Sequence, residues 1–371
     1  MRSAIATART ECPIQALDVR AYRIPTATPE SDGTLEWDAT TLVYVELSAA
    51  GKTGIGFTYA DSATARVIDE TLRDVVVGKD ALETARLWKQ MSAKVRNLGR
   101  DGITSMAISA LDVALWDLKG KVLDVPVCVL LGAARDRVDV YGSGGFTSYT
   151  VDELCSQLSG WVRAGIPRVK MKVGRDPEAD PGRVNAARRA IGDGAQLFVD
   201  ANGAYSRKQA LNIATRFAAD DVSWYEEPVY HEDFEGLRLV RKHAPACMEI
   251  SSGEYGYGLY HFNNMLRAGA VDVLQADATR CGGFSGLLAV DGLCQTAMLP
   301  LSTHCAPYLH LHAALACKQI RHMEYFFDHV RIETMLFDGP ADPVDGALHP
   351  DPTRPGIGLE LKRRDAERYA I

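Results

Sequence analysis

Residues 168–173 read RVKMKV, residues 196–200 QLFVD and residues 222–226 VSWYE. Each is a short apolar run rich in β-branched or aromatic side chains. Each is followed by turn residues and then by helix-length polar and alanine-rich sequence, as in PGRVNAARRAIG (181–192) and RKQALNIATRFA (207–218). That pattern reads as a strand followed by a helix. The same rhythm continues on both sides, with runs at Val138–Tyr141, Cys247–Ile250, Val271–Gln275, Met298–Ser302 and His322–Tyr325. Strand–helix alternation forms right-handed βαβ units and hence a parallel sheet. Eight such units over about 200 residues predict a closed (β/α) barrel rather than an open doubly wound sheet. No dinucleotide fingerprint accompanies them. Gly142-Ser-Gly-Gly145 and Gly282-Gly283 do not match G-x-G-x-x-G and read as tight βα turns.

Upstream, the pattern changes. Residues 12–48 favour extended structure, with Thr41–Leu47 as a clear strand, and Gly51–Gly56 reads as a turn into another. In 104–121, Ile108, Leu111, Leu115 and Leu118 form the apolar stripe of an amphipathic helix. Strands followed by helices predict a small α+β domain, residues 1–132, ahead of a barrel at 133–338. A Pro- and Gly-rich segment, 339–371, is expected to return to the first domain.

The composition suits a folded protein of this size, with 47% hydrophobic and 24% charged residues among 371. A net charge of −7 gives no support to a nucleic-acid surface. No apolar run reaches membrane-spanning length, and MRSAIATART lacks the apolar core of a secretory leader. The eight cysteines show no C-x-x-C spacing, so reduced thiols and a cytoplasmic location are expected.

In a parallel barrel the carboxyl ends of the strands converge on one face. Those ends carry Lys170 and Lys172, Asp200 and Asn202, Glu226, Glu254, Asp277, His304 and Glu324. Taken singly, each has a plain explanation: Asp200-Ala-Asn202-Gly203 suits an Asx-type turn, and a strand lysine can snorkel to solvent. Together they point elsewhere. Asp200, Glu226 and Glu254 follow one another at successive strand ends, 26 and 28 residues apart. Converging carboxylates repel unless a cation neutralises them, and a hard oxygen-ligand ion such as Mg²⁺ is the natural partner. Lys170 and Lys172 share one side of their strand, so Lys170 is expected to lower the pKa of Lys172 and make it a usable base. Asp277 is placed to orient the His304 imidazole.

These motifs, with ALWDLKGK at 114–121, resemble the enolase superfamily, mandelate racemase subgroup, over nearly the whole chain. The resemblance implies a (β/α)₇β modified TIM barrel under an N-terminal α+β capping domain completed by the C-terminal segment. It implies Mg²⁺ on Asp200, Glu226 and Glu254, and Lys172 and the His304–Asp277 dyad as catalytic groups. Lys170, Glu324, Asn202 and Arg280 would face the substrate, Glu324 as the acid hydrogen-bonding its carboxylate. Arg280 stands where some members have lysine. A homo-oligomer is the family expectation.

The shared first step implied is removal of the proton α to a carboxylate. Loss of a β-hydroxyl would then make a dehydratase, and reprotonation from the other face a racemase or epimerase. A silent sugar-acid-binding barrel is the alternative from another class. The polar segment 26–38, with Glu30, Ser31, Asp32, Thr34, Glu36 and Asp38 beside Trp37, is expected to be a loop lining the pocket. It favours dehydration of an acid sugar, with no nucleic-acid or membrane partner.

Overall fold

Eight parallel strands close on themselves. They are β4 (Val138–Gly144), β5 (Arg168–Lys172), β6 (Gln196–Asp200), β7 (Val222–Glu226), β8 (Glu249–Ser252), β9 (Val273–Ala276), β10 (Leu301–Thr303) and β11 (Ile320–Phe326). Each pairs with the next, and β11 pairs with β4 through Met323↔Val140 and Glu324↔Tyr141, so the barrel has no open edge. This computed structural model describes residues 11–371, and MRSAIATART lies outside the described residues. Among the described residues, no helix is long and apolar enough to cross a membrane.

The connecting helices are α6 (Val151–Arg163), α7 (Asp180–Ile191), α8 (Arg207–Phe217), α9 (Phe234–His243), α10 (Leu259–Ala268), α11 (Gly283–Ala297) and α12 (Pro307–Ala316). Local chemistry sets several starts. Thr150 with Glu153, and Ser206 with Gln209, form capping boxes that satisfy the orphan amides of α6 and α8. A further helix, α13 (Phe327–Leu336), follows the last strand and touches the capping elements, with Arg331 Nη2 donating to the Pro25 carbonyl at 2.7 Å.

The capping elements begin with an antiparallel sheet of β1 (Ala16–Ser31), β2 (Glu36–Ala49) and β3 (Lys52–Tyr59). Helices α1 (Ala63–Arg66), α2 (Arg73–Val76), α3 (Thr84–Lys94), α4 (Ile103–Leu123) and α5 (Val127–Leu131) follow. The stripe read on α4 is too narrow, because the helix is buried on most of its circumference. It lies between β3 and the barrel. A Cβ at Gly56 would come within 2.1 Å of the Ala110 carbonyl oxygen, so glycine permits that close approach. On the barrel side, buried Asp112 accepts from the Ser285 amide and hydroxyl at 2.9 and 2.7 Å.

Three other expectations are corrected. Gly142 lies inside β4 rather than in a turn, and a Cβ there would strike the Trp161 ring at 2.5 Å. Met298 is not strand: at φ 54° and 86% exposed it ends α11, and β10 begins at Leu301. Apolar Met298 and Leu299 imitate a strand start, but a left-handed residue is needed to leave the helix. The polar segment 26–38 is a hairpin rather than a loop, with β1 and β2 continuing to its tip through a register shift between Pro25 and Glu30.

The C-terminal segment visits the barrel first. β12 (Phe337–Asp338) pairs with β14 (Glu360–Leu361), and β13 (Ala347–Leu348) runs antiparallel to β4. After α14 (Arg363–Ala366), the Ile371 amide donates to the Ala21 carbonyl of β1 at 3.0 Å.

Candidate active site

The site starts as one row of the barrel ladder. Lys172 is paired with Asp200, Asp200 with Glu226, and Glu226 with Ser251, so adjacent strands present these side chains at one level. Glu254 follows Gly253, whose φ of 138° and contact with the Gln275 carbonyl, 2.1 Å from a would-be Cβ, require glycine. Through that bend Glu254 joins Asp200 and Glu226, and one carboxylate oxygen from each lies within 4.8 Å of the others. All three are buried.

Two lysines answer this charge. Lys170 Nζ is 2.5 Å from Glu226 Oε1, 2.7 Å from Glu324 Oε1 and 3.4 Å from Asp200 Oδ2. Lys172 Nζ is 2.5 Å from Asp200 Oδ2. Four buried carboxylates against two ammonium groups leave negative charge in excess. Burial and then Asp200 accordingly push Glu226 up to about 8. Among the described residues, Glu254 Oε2 is buried with no hydrogen-bond donor. An all-oxygen donor set with surplus negative charge fits a hard divalent cation.

The expected depression of Lys172 is not found. Burial opposes its charge most and Lys170 adds to that, yet Asp200, Glu254 and Glu324 together outweigh them and hold its pKa above the ordinary lysine range. The neighbour sharing its strand face was legible in sequence; the carboxylate from the next strand, closer in space, was not.

On the opposite wall, His304 Nδ1 is 2.8 Å from Asp277 Oδ2, and its Nε2 is 3.3 Å from Glu254 Oε2. Burial lowers the pKa of His304, but Glu254 and the bond to Asp277 carry it above the ordinary value. Burial opposes ionisation of Asp277, but the hydrogen bond and charge of His304, with His310 and Arg280, together hold its pKa low. Arg280 lines the cavity with its guanidinium already engaged. Its Nη1 donates to the Glu254 carbonyl at 3.1 Å, and the group lies over the Tyr255 ring at 5.1 Å. Glu324 accepts from Ser143 Oγ at 2.6 Å and from the Cys305 amide at 2.7 Å. Burial resists its charge, but Lys170, with His304 and Lys172, holds its pKa well below the ordinary carboxylate range. In this arrangement Glu324 presents no proton, so donating to a substrate carboxylate would require it to gain one.

These groups open into a cavity of about 400 Å³, bordered by Lys172, Asn202, Glu254, Arg280, His304 and Glu324. Lys170, Asp200, Glu226 and Asp277 support it from beneath. Asn202 has the turn geometry also read from sequence, its amide donating to Asp200 Oδ1 at 2.9 Å at φ 45°. From the hairpin, only Asp32 and Trp37 of the seven polar-segment side chains reach the cavity. Glu30 and Ser31 are buried as fasteners instead: Glu30 accepts from Trp37 Nε1 at 3.0 Å, and Ser31 Oγ is 2.6 Å from Thr147 Oγ1. Thr40, Tyr59, Cys305 and His329 also border the cavity and were missed. Cys305 adjoins His304 in sequence, so strand-end counting carried one residue further would have reached it; His329 lies three residues past the end of β11, inside α13, and would not have been.

Residues 18–132 match the mandelate racemase / muconate lactonizing enzyme N-terminal domain, and residues 153–366 match the enolase C-terminal domain-like family. The chain belongs to the mandelate racemase / muconate lactonizing enzyme family. Within this family, the crystal structure of a mandelate racemase/muconate lactonizing enzyme-like protein from Rubrobacter xylanophilus superposes with a TM-score of 0.95 at 52% identity, covering 97% of this chain and all of that one. The 3,6-anhydro-α-L-galactonate cycloisomerase of Streptomyces coelicolor is 32% identical over 368 residues, 96% of this chain and 99% of its own length. L-Talarate dehydratase from a Polaromonas species, solved with Mg and L-glucarate, superposes with a TM-score of 0.87 at 31% identity and covers 97% and 98% of the two chains.

Proposed function

We propose that this family member is a Mg²⁺-dependent lyase that removes the proton α to a carboxylate and expels the β-hydroxyl, turning an acid sugar into a 2-keto-3-deoxy acid. The observation that carries this reading is the opening of Lys172 and of His304, held from behind by Asp277, into one cavity beside Glu254. A base and an acid then flank a carboxylate cluster suited to a divalent ion. The acid-sugar class is supported by polar cavity groups, Asp32, Thr40, Asp61 and Asn202, and by the L-glucarate-bound relative.

Asp200, Glu226 and Glu254 would hold Mg²⁺, which when bound supplies positive charge to a substrate carboxylate as the α-carbon loses its proton. Lys172 Nζ takes that proton after releasing its own, which it would do once a cation on Asp200 offsets the carboxylate that now holds it charged. Lys170, anchored by Glu226 and Glu324, adds a fixed positive charge beneath the same carboxylate. His304 Nε2, its ring oriented by Asp277, protonates the departing hydroxyl. Acid–base placement of this kind contributes about 10²–10⁴-fold. A second reading is favoured by the 32%-identical cycloisomerase: where the β-oxygen is part of a ring, the same elimination would open the ring and release no water.

The test is a panel of mono- and di-acid sugars, with their lactones, assayed with Mg²⁺ in D₂O. A 2-keto acid from an open-chain substrate supports the dehydratase; conversion of ring forms alone favours the second reading. Lys172→Ala should abolish both α-deuterium exchange and elimination, whereas His304→Asn should abolish elimination and retain exchange. An epimerised acid with no keto product would overturn both readings. Binding with no exchange at all would leave a silent binder.

A further inference from the structure

Beside the carboxylate cluster lies a second group of ligand atoms with different chemistry. His304 Nε2 is 3.2 Å from Cys305 Sγ and 4.0 Å from Glu324 Oε2, and a ligand atom from each of the three residues lies within 4.8 Å of the others. All three residues are buried, and all border the cavity. We propose that His304, Cys305 and Glu324 form a second metal site, selective for a thiophilic divalent cation of the zinc type and adjacent to the Mg²⁺ position.

Donor identity separates the two positions. Asp200, Glu226 and Glu254 offer oxygen alone, the preference of Mg²⁺, while the neighbouring group offers one imidazole nitrogen, one sulfur and one carboxylate. Tetrahedral zinc takes such sets at about 2.0–2.3 Å, which places neighbouring donors about 3.3–3.7 Å apart. The nitrogen–sulfur separation is already close to that, and the Glu324 oxygen, 4.0 Å from Nε2, needs to approach by at least about 0.7 Å.

The surroundings favour occupation. The Asp277 carboxylate faces Nδ1 of His304, so Nδ1 keeps its hydrogen, and Nε2, on giving up the proton it carries as an acid, presents its lone pair toward Cys305. A carboxylate–histidine pair of this form is the usual outer support of a zinc ligand. Cys305 is fixed at φ 52° by its own amide bond to Glu324, which keeps its sulfur on the histidine side. Glu254 Oε2, 3.3 Å from His304 Nε2 and without a donor, can complete the set. Glu254 would then bridge the two cations. On binding, the Cys305 S–H and His304 Nε2–H bonds break, the sulfur–metal and nitrogen–metal bonds form, and both protons leave to solvent.

This site takes up His304, which the proposed function makes the general acid, so its occupation would stop elimination while Mg²⁺ stays bound. That consequence rests on the proposed function; the binding itself does not. The experiment is therefore run first without substrate. Wild-type protein at saturating Mg²⁺ is dialysed against Zn²⁺, and Co²⁺ is used as the spectroscopic probe. Expected are one Zn²⁺ per chain that a tenfold rise in Mg²⁺ does not displace, and a thiolate-to-cobalt charge-transfer band in the near ultraviolet. Cys305→Ser should abolish the band and weaken Zn²⁺ binding at least about tenfold, since even outer-sphere partners carry about 10–100-fold. Cys247→Ser, which removes an exposed thiol, should leave both unchanged. Zn²⁺ displaced in proportion to Mg²⁺, or a wild-type cobalt spectrum without the thiolate band, would overturn the site even if the Cys305 variant failed to fold. Turnover of the best acid sugar is measured last. If Zn²⁺ binds as described and turnover continues, the role of His304 fails while the metal site stands.

Discussion

Asp277 and His304 are joined by a 2.8 Å hydrogen bond between two buried groups that come from consecutive barrel strands, β9 and β10. The bond supports the charge of each partner, holding the imidazole up and the carboxylate down. Asp277→Asn keeps the shape and removes the charge. Turnover should fall about 10²–10⁴-fold, the range of a lost acid–base contribution, with Mg²⁺ affinity by calorimetry unchanged. A neutral substitution would show that the pairing has no part in the chemistry.

The carboxylate cluster gives a different signature. Asp200→Asn, Glu226→Gln and Glu254→Gln should each weaken Mg²⁺ at least about tenfold and abolish turnover. Folding should survive, because each amide fills the volume of the acid it replaces. Chelator-treated protein should be inactive and recover with Mg²⁺. Full activity after rigorous metal removal would exclude the proposed role of the ion.

Asp117 offers a test of how the cap is held. It accepts from the Ile55 amide of β3 and from the Ile357 amide of the C-terminal segment, both at 2.7 Å, and pairs with Lys121 at 2.7 Å. Asp117→Ala would leave two buried amides and a lysine without this partner, and should cost about 3–5 kcal/mol of stability. Denaturant unfolding measures it. A loss below about 1 kcal/mol, the worth of an exposed pair, would mean the three segments are held elsewhere.

Glu30 predicts a pH effect at the hairpin. Burial, then Asp328, pushes its pKa from 4.5 up to about 8, against a smaller opposite pull from Trp37. The folded chain thus keeps a proton that the unfolded chain releases, so stability declines as pH rises from about 4.5 to about 8 and levels off beyond. Glu30→Gln cannot ionise and should flatten that decline. Melting curves at pH 5 and pH 8 compare the two proteins; equal slopes would place the titration on other groups.

Much of this site was legible in sequence because a barrel converts strand order into angular position. Knowing that Asp200 and Glu226 end successive strands is nearly enough to place them side by side, and the ladder does so. What failed to show depends on distance across strands or between segments. The net direction at Lys172 is set by carboxylates of other strands, Asp200 foremost with Glu254 and Glu324, against burial and against Lys170 two residues away. The hairpin at 26–38 read as a pocket-lining loop because the partners of its polar side chains, Thr147 for Ser31 and Trp37 for Glu30, are not revealed by any local pattern. Met298 misled for the opposite reason: an apolar side chain at a helix exit follows backbone conformation, not burial.

The row Lys172, Asp200, Glu226 is spaced by peptide hydrogen bonds of a closed barrel, whereas Asp32 and Trp37 reach the same cavity from a hairpin seated by a few side-chain contacts. Warming should therefore affect the two halves of the cavity unequally. The barrel row can lose its spacing only when the barrel opens, while the hairpin can loosen well before that. Discrimination between related sugars should decay at temperatures where proton removal is still intact, and the melting point of the protein should mark the end of its chemistry but not the end of its selectivity.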